Sequence, residues 1–154
     1  MPRRGRDFIQ LPGPTNVPHR ILSAMHHPMV DFAGAAFSAM ARGCLDDLRY
    51  VFQTEGPVYA YSANGHGGWE VVFDNLLAPG ETVLMPETGR FSQSWAEMAE
   101  ALGVRVVTTE AFHDRPLDPA AVEAALRADT GRRIKAVAMV QVETSTGVTH
   151  DVRA

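Results

Sequence analysis

Residues 61–86 read YSANGHGGWEVVFDNLLAPGETVLMP, and this stretch decides the fold. It opens with a glycine-rich run, continues as a helical pattern over residues 66–78, and ends in an apolar run at residues 81–86 that predicts a strand. Pro79 and Gly80 stop the helix between the two. A turn, a helix and a buried strand in this order form one unit of an alternating α/β chain.

The same alternation extends to both sides of this stretch. Gly103 follows the second helix where a C-cap requires a positive φ angle, and Asp118 and Pro119 mark the start of the third helix. The last strand is an almost unbroken apolar run, which is typical of a strand covered by helices on both faces. The sequence therefore predicts an open α/β fold with a mostly parallel sheet. Four strands are predicted at residues 57–63, 81–86, 104–110 and 134–142, and three helices at residues 66–78, 91–102 and 117–129.

The N-terminal third has a different pattern. Three prolines and a glycine within residues 7–19 predict an extended arm without regular structure, so residues 1–19 form the arm in our division of the chain. Residues 20–56 then carry a short and a longer helical pattern. Cys44 in the longer helix is interpreted as a small buried thiol. The inward face of that helix is expected to carry Leu45, Leu48, Val51 and Phe52.

Composition limits the classes of function. With 154 residues, of which 45% are hydrophobic, the chain is long enough for one domain with a core. A net charge of -4 gives no basic surface for nucleic acid, and a single cysteine cannot form an internal disulfide. The sequence has no apolar run long enough to cross a membrane and no signal peptide pattern. We therefore expect a cytoplasmic protein without nucleic-acid or membrane partners.

Four loops, which begin near residues 63, 86, 110 and 143, are predicted at the carboxyl edge of the sheet, where open α/β folds bind ligands. Three of them carry candidate ligand-binding residues. The glycine-rich run at residues 63–68 lies at a helix start, which favours an anion such as phosphate, although a tight packing turn is equally consistent. Its spacing fits neither GxGxxG nor a P-loop. Phe91 is either a stacking platform or a residue that staples its helix. The hydroxyls of residues 144–146 either bind a polar ligand or belong to a simple turn.

Four motifs in order resemble class V, fold-type I pyridoxal-phosphate aminotransferases of the alanine–glyoxylate and serine–glyoxylate group. They are LPGPTNVP at residues 11–18, FQTEGPVY at 52–59, SANGHGGWE at 62–70 and VETSTGV at 142–148. The resemblance covers residues 10–150. It implies that residues 57–154 are the first half of the family's large three-layer α/β/α domain, and that the remainder and a small C-terminal domain lie elsewhere.

The resemblance also implies a cofactor, substrates and contacts. The cofactor would be pyridoxal 5'-phosphate, the substrates a small amino acid and a 2-oxo acid, and the full-length protein a homodimer. Phe91 stands where the family often has a tryptophan that stacks on the pyridine ring, and Asn64 where it usually has a serine. The implied phosphate contacts are Asn64, Gly65 and His66. Thr144 or Ser145 would lie near the hydroxyl of the pyridine ring. The residues that would border the substrate are Gly13, Pro14, Thr15 and Asn16.

The catalytic residues of the family are not expected within this chain. A transaminase requires a lysine that forms a Schiff base with the cofactor and a carboxylate on the pyridine nitrogen. Lys135 is the only lysine, and it stands at the start of its strand, opposite the predicted site. The resemblance implies that the required Asp and Lys follow Ala154, so the chain alone should be inactive.

The sequence is also consistent with other functions. The chain is alternatively a non-catalytic remnant or a module that binds a phosphate ligand, and a nucleotide-binding domain is the least favoured reading. Adjacent His26 and His27 point in different directions on a helix, so we expect no metal site there. A lysine and an aspartate later in the sequence would distinguish the hypothesis of an enzyme from that of a non-catalytic remnant.

Overall fold

The computed structural model describes residues 8–153 and divides the chain into two compact units between Ser62 and Ala63. In the N-terminal unit, residues 8–18 form neither helix nor strand, as predicted for the arm. Two helices follow, and the second is capped at its C-terminus by Gln53, whose φ of 50° is left-handed. They are α1 at His19–Met25 and α2 at Ala35–Phe52.

Helix α2 corrects one prediction for this unit. None of its residues is buried, and Cys44 is exposed, so the prediction of a buried thiol is wrong. The expected inward face is only partly present, because Leu45 and Leu48 are half-buried while Val51 and Phe52 are exposed. The periodicity of the sequence identified the helix, but periodicity alone does not provide an element to cover its apolar face.

The second unit is an α/β structure built on a parallel sheet. The chain alternates between helices and strands and then forms a short antiparallel hairpin. The three parallel strands have the order β2-β1-β3, so the first strand in sequence is central. The elements are α3 at Gly65–Leu76, β1 at Thr82–Met85, α4 at Arg90–Ala101, β2 at Arg105–Thr108, α5 at Pro119–Ala128, β3 at Ile134–Val137, β4 at Val142–Glu143 and β5 at Val148–Thr149.

The helix ends follow the signals in the sequence. Gly103 has φ +81°, a conformation that favours glycine, immediately after α4. The side chain of Asp118 accepts a hydrogen bond from the backbone N–H of Ala120, and Pro119 occupies the first helical position of α5. These three predictions are confirmed, because they depend on local backbone geometry that a short sequence window determines.

Two predicted strands differ from the structure. Residues 57–63 are not a strand, since none of the described strands pairs with them. The last strand is predicted over residues 134–142, but in the structure it ends at Val137. One further hydrogen bond to the sheet follows, from the backbone N–H of Ala138 to the carbonyl of Leu84. The chain then turns into the β4–β5 hairpin, so a run of apolar residues was mistaken for one continuous strand. The sheet therefore has three parallel strands and not four.

The core lies between the central strand and two helices. All four residues of β1 are buried, whereas β3 alternates between half-buried and exposed positions, so β1 fits the expectation of a doubly covered strand and β3 does not. Val83 and Met85 pack in one cluster with Phe73 of α3 and Ala99 of α4. Trp69 and Trp95 pack partly buried against this cluster, which confirms their prediction as core residues.

Candidate functional site

Helices α3 and α4 begin at the same edge of the sheet. Helix α4 starts just beyond the carboxyl end of β1, and the first turn of α3 lies beside the first turn of α4. The ring centroids of His66 and Phe91, each in the first turn of its helix, are 5.9 Å apart. The structure thus brings together two of the predicted site residues from the first turns of two different helices.

Asn64 caps the start of α3. Its side-chain oxygen accepts the backbone N–H of His66 at 3.1 Å, and its carbonyl accepts the N–H of Gly67 at 3.1 Å. An asparagine in extended conformation at this position is a strong N-cap, because it satisfies N–H groups that have no partner inside the helix. The helix begins at Gly65, one residue before the predicted start.

The glycines of this loop have two different roles. A Cβ atom on Gly67 would lie 2.6 Å from the Cβ of Ala63, so Gly67 is required for close packing of the turn. A Cβ on Gly65 or Gly68 would meet no atom within 4 Å, and both residues are exposed. The packing interpretation therefore holds for Gly67, while the other two leave bare backbone facing open space at the helix start.

Phe91 forms part of a row of aromatic rings. Its centroid lies 6.4 Å from that of Trp95 in an edge-on arrangement, and Trp95 lies 3.8 Å from Trp69. Because α4 begins at Arg90, Phe91 is in the first turn of the helix and not in the preceding loop. It is half-buried, so one side of the ring packs on protein and part of it remains accessible.

Two side chains from the β4–β5 hairpin cap α4. The hydroxyl of Ser145 accepts the N–H of Arg90 at 3.0 Å. The carboxylate of Glu143 accepts the N–H of Phe91 at 3.2 Å and that of Ser92 at 3.3 Å. The first three N–H groups of α4 are therefore satisfied by residues more than 50 positions later in the chain. Sequence reasoning missed this cap because no local pattern connects positions so far apart.

Glu143 is fully buried and is held as a carboxylate. Burial by itself raises the pKa of Glu143, but hydrogen bonds from the hydroxyl and N–H of Ser145 and from the N–H groups of Phe91 and Ser92 outweigh it, so the pKa lies below its ordinary value of 4.5. The Ser145 hydroxyl donates to Glu143 at 2.6 Å. The negative charge also complements the positive end of the α4 dipole.

Gly89 allows this carboxylate to approach α4. A Cβ atom at Gly89 would lie 2.6 Å from Cγ of Glu143 and 2.7 Å from Oγ of Ser145. Its φ of +147° is also a conformation that residues with a side chain rarely adopt. Both the space and the backbone angle at residue 89 therefore require glycine.

His150, just after the hairpin, is buried beside this cap. Its Nδ1 accepts the N–H of Leu117 at 2.9 Å, and its buried Nε2 has no hydrogen-bond partner among residues 8–153. Burial lowers the pKa of His150 below 6.5, against the opposing effect of the Glu143 charge. The imidazole is therefore neutral at pH 7. No sequence signal singled out this residue.

The remaining predicted site residues are more dispersed. Thr144 is exposed, and its hydroxyl makes no hydrogen bond to another described residue. Lys135 is exposed near the amino end of β3, as predicted, away from the edge where α3 and α4 begin. The four arm residues belong to the N-terminal unit, where Gly13, Pro14 and Thr15 are exposed and Asn16 is half-buried.

No helix within residues 8–153 combines the length and apolar character needed to cross a membrane.

The chain is similar to known proteins over almost its whole length. Residues 8–154 match the family described as Aminotransferase class-V. The chain is 40% identical over 153 residues to serine–glyoxylate aminotransferase from Methylorubrum extorquens, covering 99% of this chain and 38% of that protein. It is 33% identical to L-aspartate–glyoxylate aminotransferase from Paracoccus denitrificans, covering 95% of this chain and 37% of that protein.

A solved structure gives the same result. The ureidoglycine–glyoxylate aminotransferase from Bacillus subtilis superposes with a TM-score of 0.80 at 32% identity, over 92% of this chain and 36% of that one. The chain thus spans under two fifths of the length of these relatives. The match covers almost every residue of the chain, so this protein belongs to the class V aminotransferase family.

Proposed function

We propose that this chain supplies the cofactor phosphate loop and the ring-stacking residue of a pyridoxal-phosphate-dependent aminotransferase. The full-length protein would move an amino group from a small amino acid, serine or alanine, to glyoxylate or another 2-oxo acid. Class V aminotransferases depend on pyridoxal phosphate. The names of the relatives, which specify glyoxylate with serine or aspartate, support the type of reaction and the acceptor.

One observation carries this proposal: the open start of α3 lies beside the half-buried ring of Phe91. The bare backbone at Gly65 and Gly68 leaves room for an anion, and the His66 ring is 5.9 Å from that of Phe91. Backbone N–H groups and the dipole at a helix start favour phosphate. The neighbouring start of α4 is already occupied by the Glu143 carboxylate, which leaves α3 as the favoured position for a ligand's phosphate.

The residues of this chain fit the cofactor in three roles. Gly65, with Asn64 and His66 on either side, would hold the phosphate. Phe91 would stack on the pyridine ring, and Thr144, whose hydroxyl is exposed and makes no hydrogen bond to described residues, is favoured over Ser145 for the ring hydroxyl. Pyridoxal phosphate, when bound, supplies an electron sink for bonds at the α-carbon of an amino acid.

The chain's own contribution is then to bind and orient. Stacking on Phe91 and phosphate contacts at α3 would fix the ring plane, and the aromatic row behind Phe91 would keep water from one face of the site. The arm residues Gly13, Pro14, Thr15 and Asn16 are proposed to border the substrate. Residues that transfer protons and hold the substrate carboxylate would come from the part of the relatives' length that this chain does not span. The full-length protein is proposed to be a homodimer.

The proposal is tested on the full-length protein that carries this chain. The apo-protein is titrated with pyridoxal phosphate, and the holo-protein is then assayed for glycine formation from glyoxylate with serine, alanine or aspartate as donor. We expect tight cofactor binding and glycine formation with at least one donor. Binding without glycine from any donor would favour a non-catalytic phosphate-binding module, and no binding at all would overturn both accounts.

A further inference from the structure

Glu143 is the centre of the contacts that fix the first turn of α4. Its side chain is fully buried and accepts hydrogen bonds from the N–H groups of Phe91, Ser92 and Ser145. A fourth bond, from the Ser145 hydroxyl at 2.6 Å, holds one of its oxygens from the hairpin side. Both oxygens are therefore fully used, and the carboxylate has no freedom to rotate without losing a bond.

The same contacts determine where the ring of Phe91 lies. The N–H of Phe91 is within 3.3 Å of both carboxylate oxygens. Because a helical side chain leaves its Cα in a direction set by the backbone, fixing the N–H groups of residues 91 and 92 also fixes the direction in which the Phe91 side chain leaves the helix. That ring lies 5.9 Å from His66 at the start of α3.

We propose that Glu143 is a positioning residue of the cofactor site, which acts by holding Phe91 in place for stacking. This inference rests on the proposed function, in which Phe91 stacks on pyridoxal phosphate. Glu143 itself does not touch the cofactor. Its role is to keep the start of α4 in one arrangement, so that the stacking surface exists before the cofactor arrives.

Replacing Glu143 with glutamine is a severe change at this site despite the similar shape. One end of the glutamine side chain is an NH2 group, which cannot accept a hydrogen bond and would face N–H donors. With the NH2 group in one orientation the N–H of Ser92 loses its acceptor, and in the other orientation the N–H and the hydroxyl of Ser145 lose theirs. In both orientations the N–H of Phe91 is left with one oxygen instead of two. A buried donor without a partner is costly, so the first turn of α4 should shift or fray.

The test is a double-mutant cycle in the full-length protein. The variants Glu143→Gln, Phe91→Ala and the double variant are titrated with pyridoxal phosphate, with tryptophan fluorescence as the signal. Glu97→Gln is the matched control, since Glu97 is an exposed carboxylate on the same helix, paired with Arg90 at 3.7 Å. Thermal unfolding of each apo-protein measures the effect on stability separately.

A residue that acts through Phe91 should lose its effect when Phe91 is absent. We expect Glu143→Gln and Phe91→Ala each to raise the Kd about tenfold, and the double variant to be no weaker than Phe91→Ala alone. Glu97→Gln should leave the Kd within about twofold. Independent, additive losses in the double variant would overturn the positioning role, and so would an unchanged Kd in Glu143→Gln.

Two further outcomes keep the test decisive. If Phe91→Ala leaves the Kd unchanged, the stacking role in the proposed function fails, and this result is distinct from failure of the Glu143 inference. If Glu143→Gln does not fold, Glu143→Asp takes its place in the cycle, because it keeps the charge and only withdraws the oxygens by one methylene. We expect Glu143→Asp to be coupled to Phe91→Ala in the same way, and additive effects would again contradict the inference.

Discussion

The carboxylate of Glu143 accepts the backbone N–H of Phe91 at 3.2 Å, although the two residues are 52 positions apart in the chain. This bond ties the hairpin after the sheet to the first turn of α4. It also determines which helix start is open to a ligand: α4 already holds a carboxylate, whereas α3 is capped by the side chain of its own Asn64 and leaves bare glycine backbone beside it.

Gly89→Ala should destabilise the protein, because its Cβ would lie 2.6 Å from Cγ of Glu143 and its φ of +147° strongly favours glycine. We expect a loss of about 3 kcal/mol in the free energy of unfolding, measured by urea denaturation. The matched control is Gly80→Ala, which also has a positive φ but meets no atom within 4 Å. The control should cost only about 1 kcal/mol. Equal losses in the two variants would show that the contact with Glu143 does not matter.

Asn64→Ala should affect both stability and cofactor binding. Removing an N-cap costs about 1 kcal/mol, and the same cost is expected for Asp118→Ala, which removes the cap of α5. Because only Asn64 belongs to the proposed phosphate loop, only Asn64→Ala should weaken the binding of pyridoxal phosphate. Calorimetric titration of both full-length variants separates the effects. Equal cofactor affinity in the two would remove Asn64 from the proposed site.

Glu143 should stabilise the protein above its ordinary pKa and lose that effect in acid. The pKa of Glu143 is lowered in the folded state, so folding favours the carboxylate above about pH 4.5, and the stabilisation disappears as the pH falls through the lower folded value. The free energy of unfolding of the wild type and of Glu143→Gln should therefore converge as the pH is lowered from 6 towards 3. A difference that stays constant over this range would contradict a charged Glu143.

His150 should make stability depend on pH in a higher range. Its pKa is lowered by burial, so the unfolded chain takes up a proton more readily and stability falls as the pH drops below about 6.5. His150→Asn keeps an acceptor for the N–H of Leu117 but cannot titrate, so its unfolding free energy should be flatter between pH 7 and 5. A wild-type slope in His150→Asn would exclude this effect.

The sequence predicts those features that depend on neighbouring residues. The cap of α5 at Asp118, the positive φ of Gly103 and the positions of Trp69 and Trp95 in the core follow from short-range rules and helical period. The family was also recognised from four short motifs in order, and the comparisons confirm it. The features that were missed depend on tertiary contacts.

Residues 57–63 illustrate one such contact, since a strand needs a partner strand that the local pattern does not specify. The buried thiol predicted for Cys44 was wrong for a similar reason, because burial requires another element to cover the helix. At the candidate site, the capping role of Glu143 and the burial of His150 were missed, because their partners Phe91 and Leu117 are 52 and 33 positions away. The individual cofactor contacts remain predictions.

The most direct test of the central claim compares pyridoxal phosphate with pyridoxal, which lacks only the phosphate, in the full-length protein. The comparison is made for the wild type and for Gly68→Asp, which adds a carboxylate to the open space at the start of α3 without a steric clash. We predict that the wild type binds pyridoxal phosphate at least about 100-fold more tightly than pyridoxal, and that Gly68→Asp reduces this ratio by about tenfold or more through charge repulsion. The same ratio in both proteins would show that the phosphate does not bind at α3 and would contradict the account.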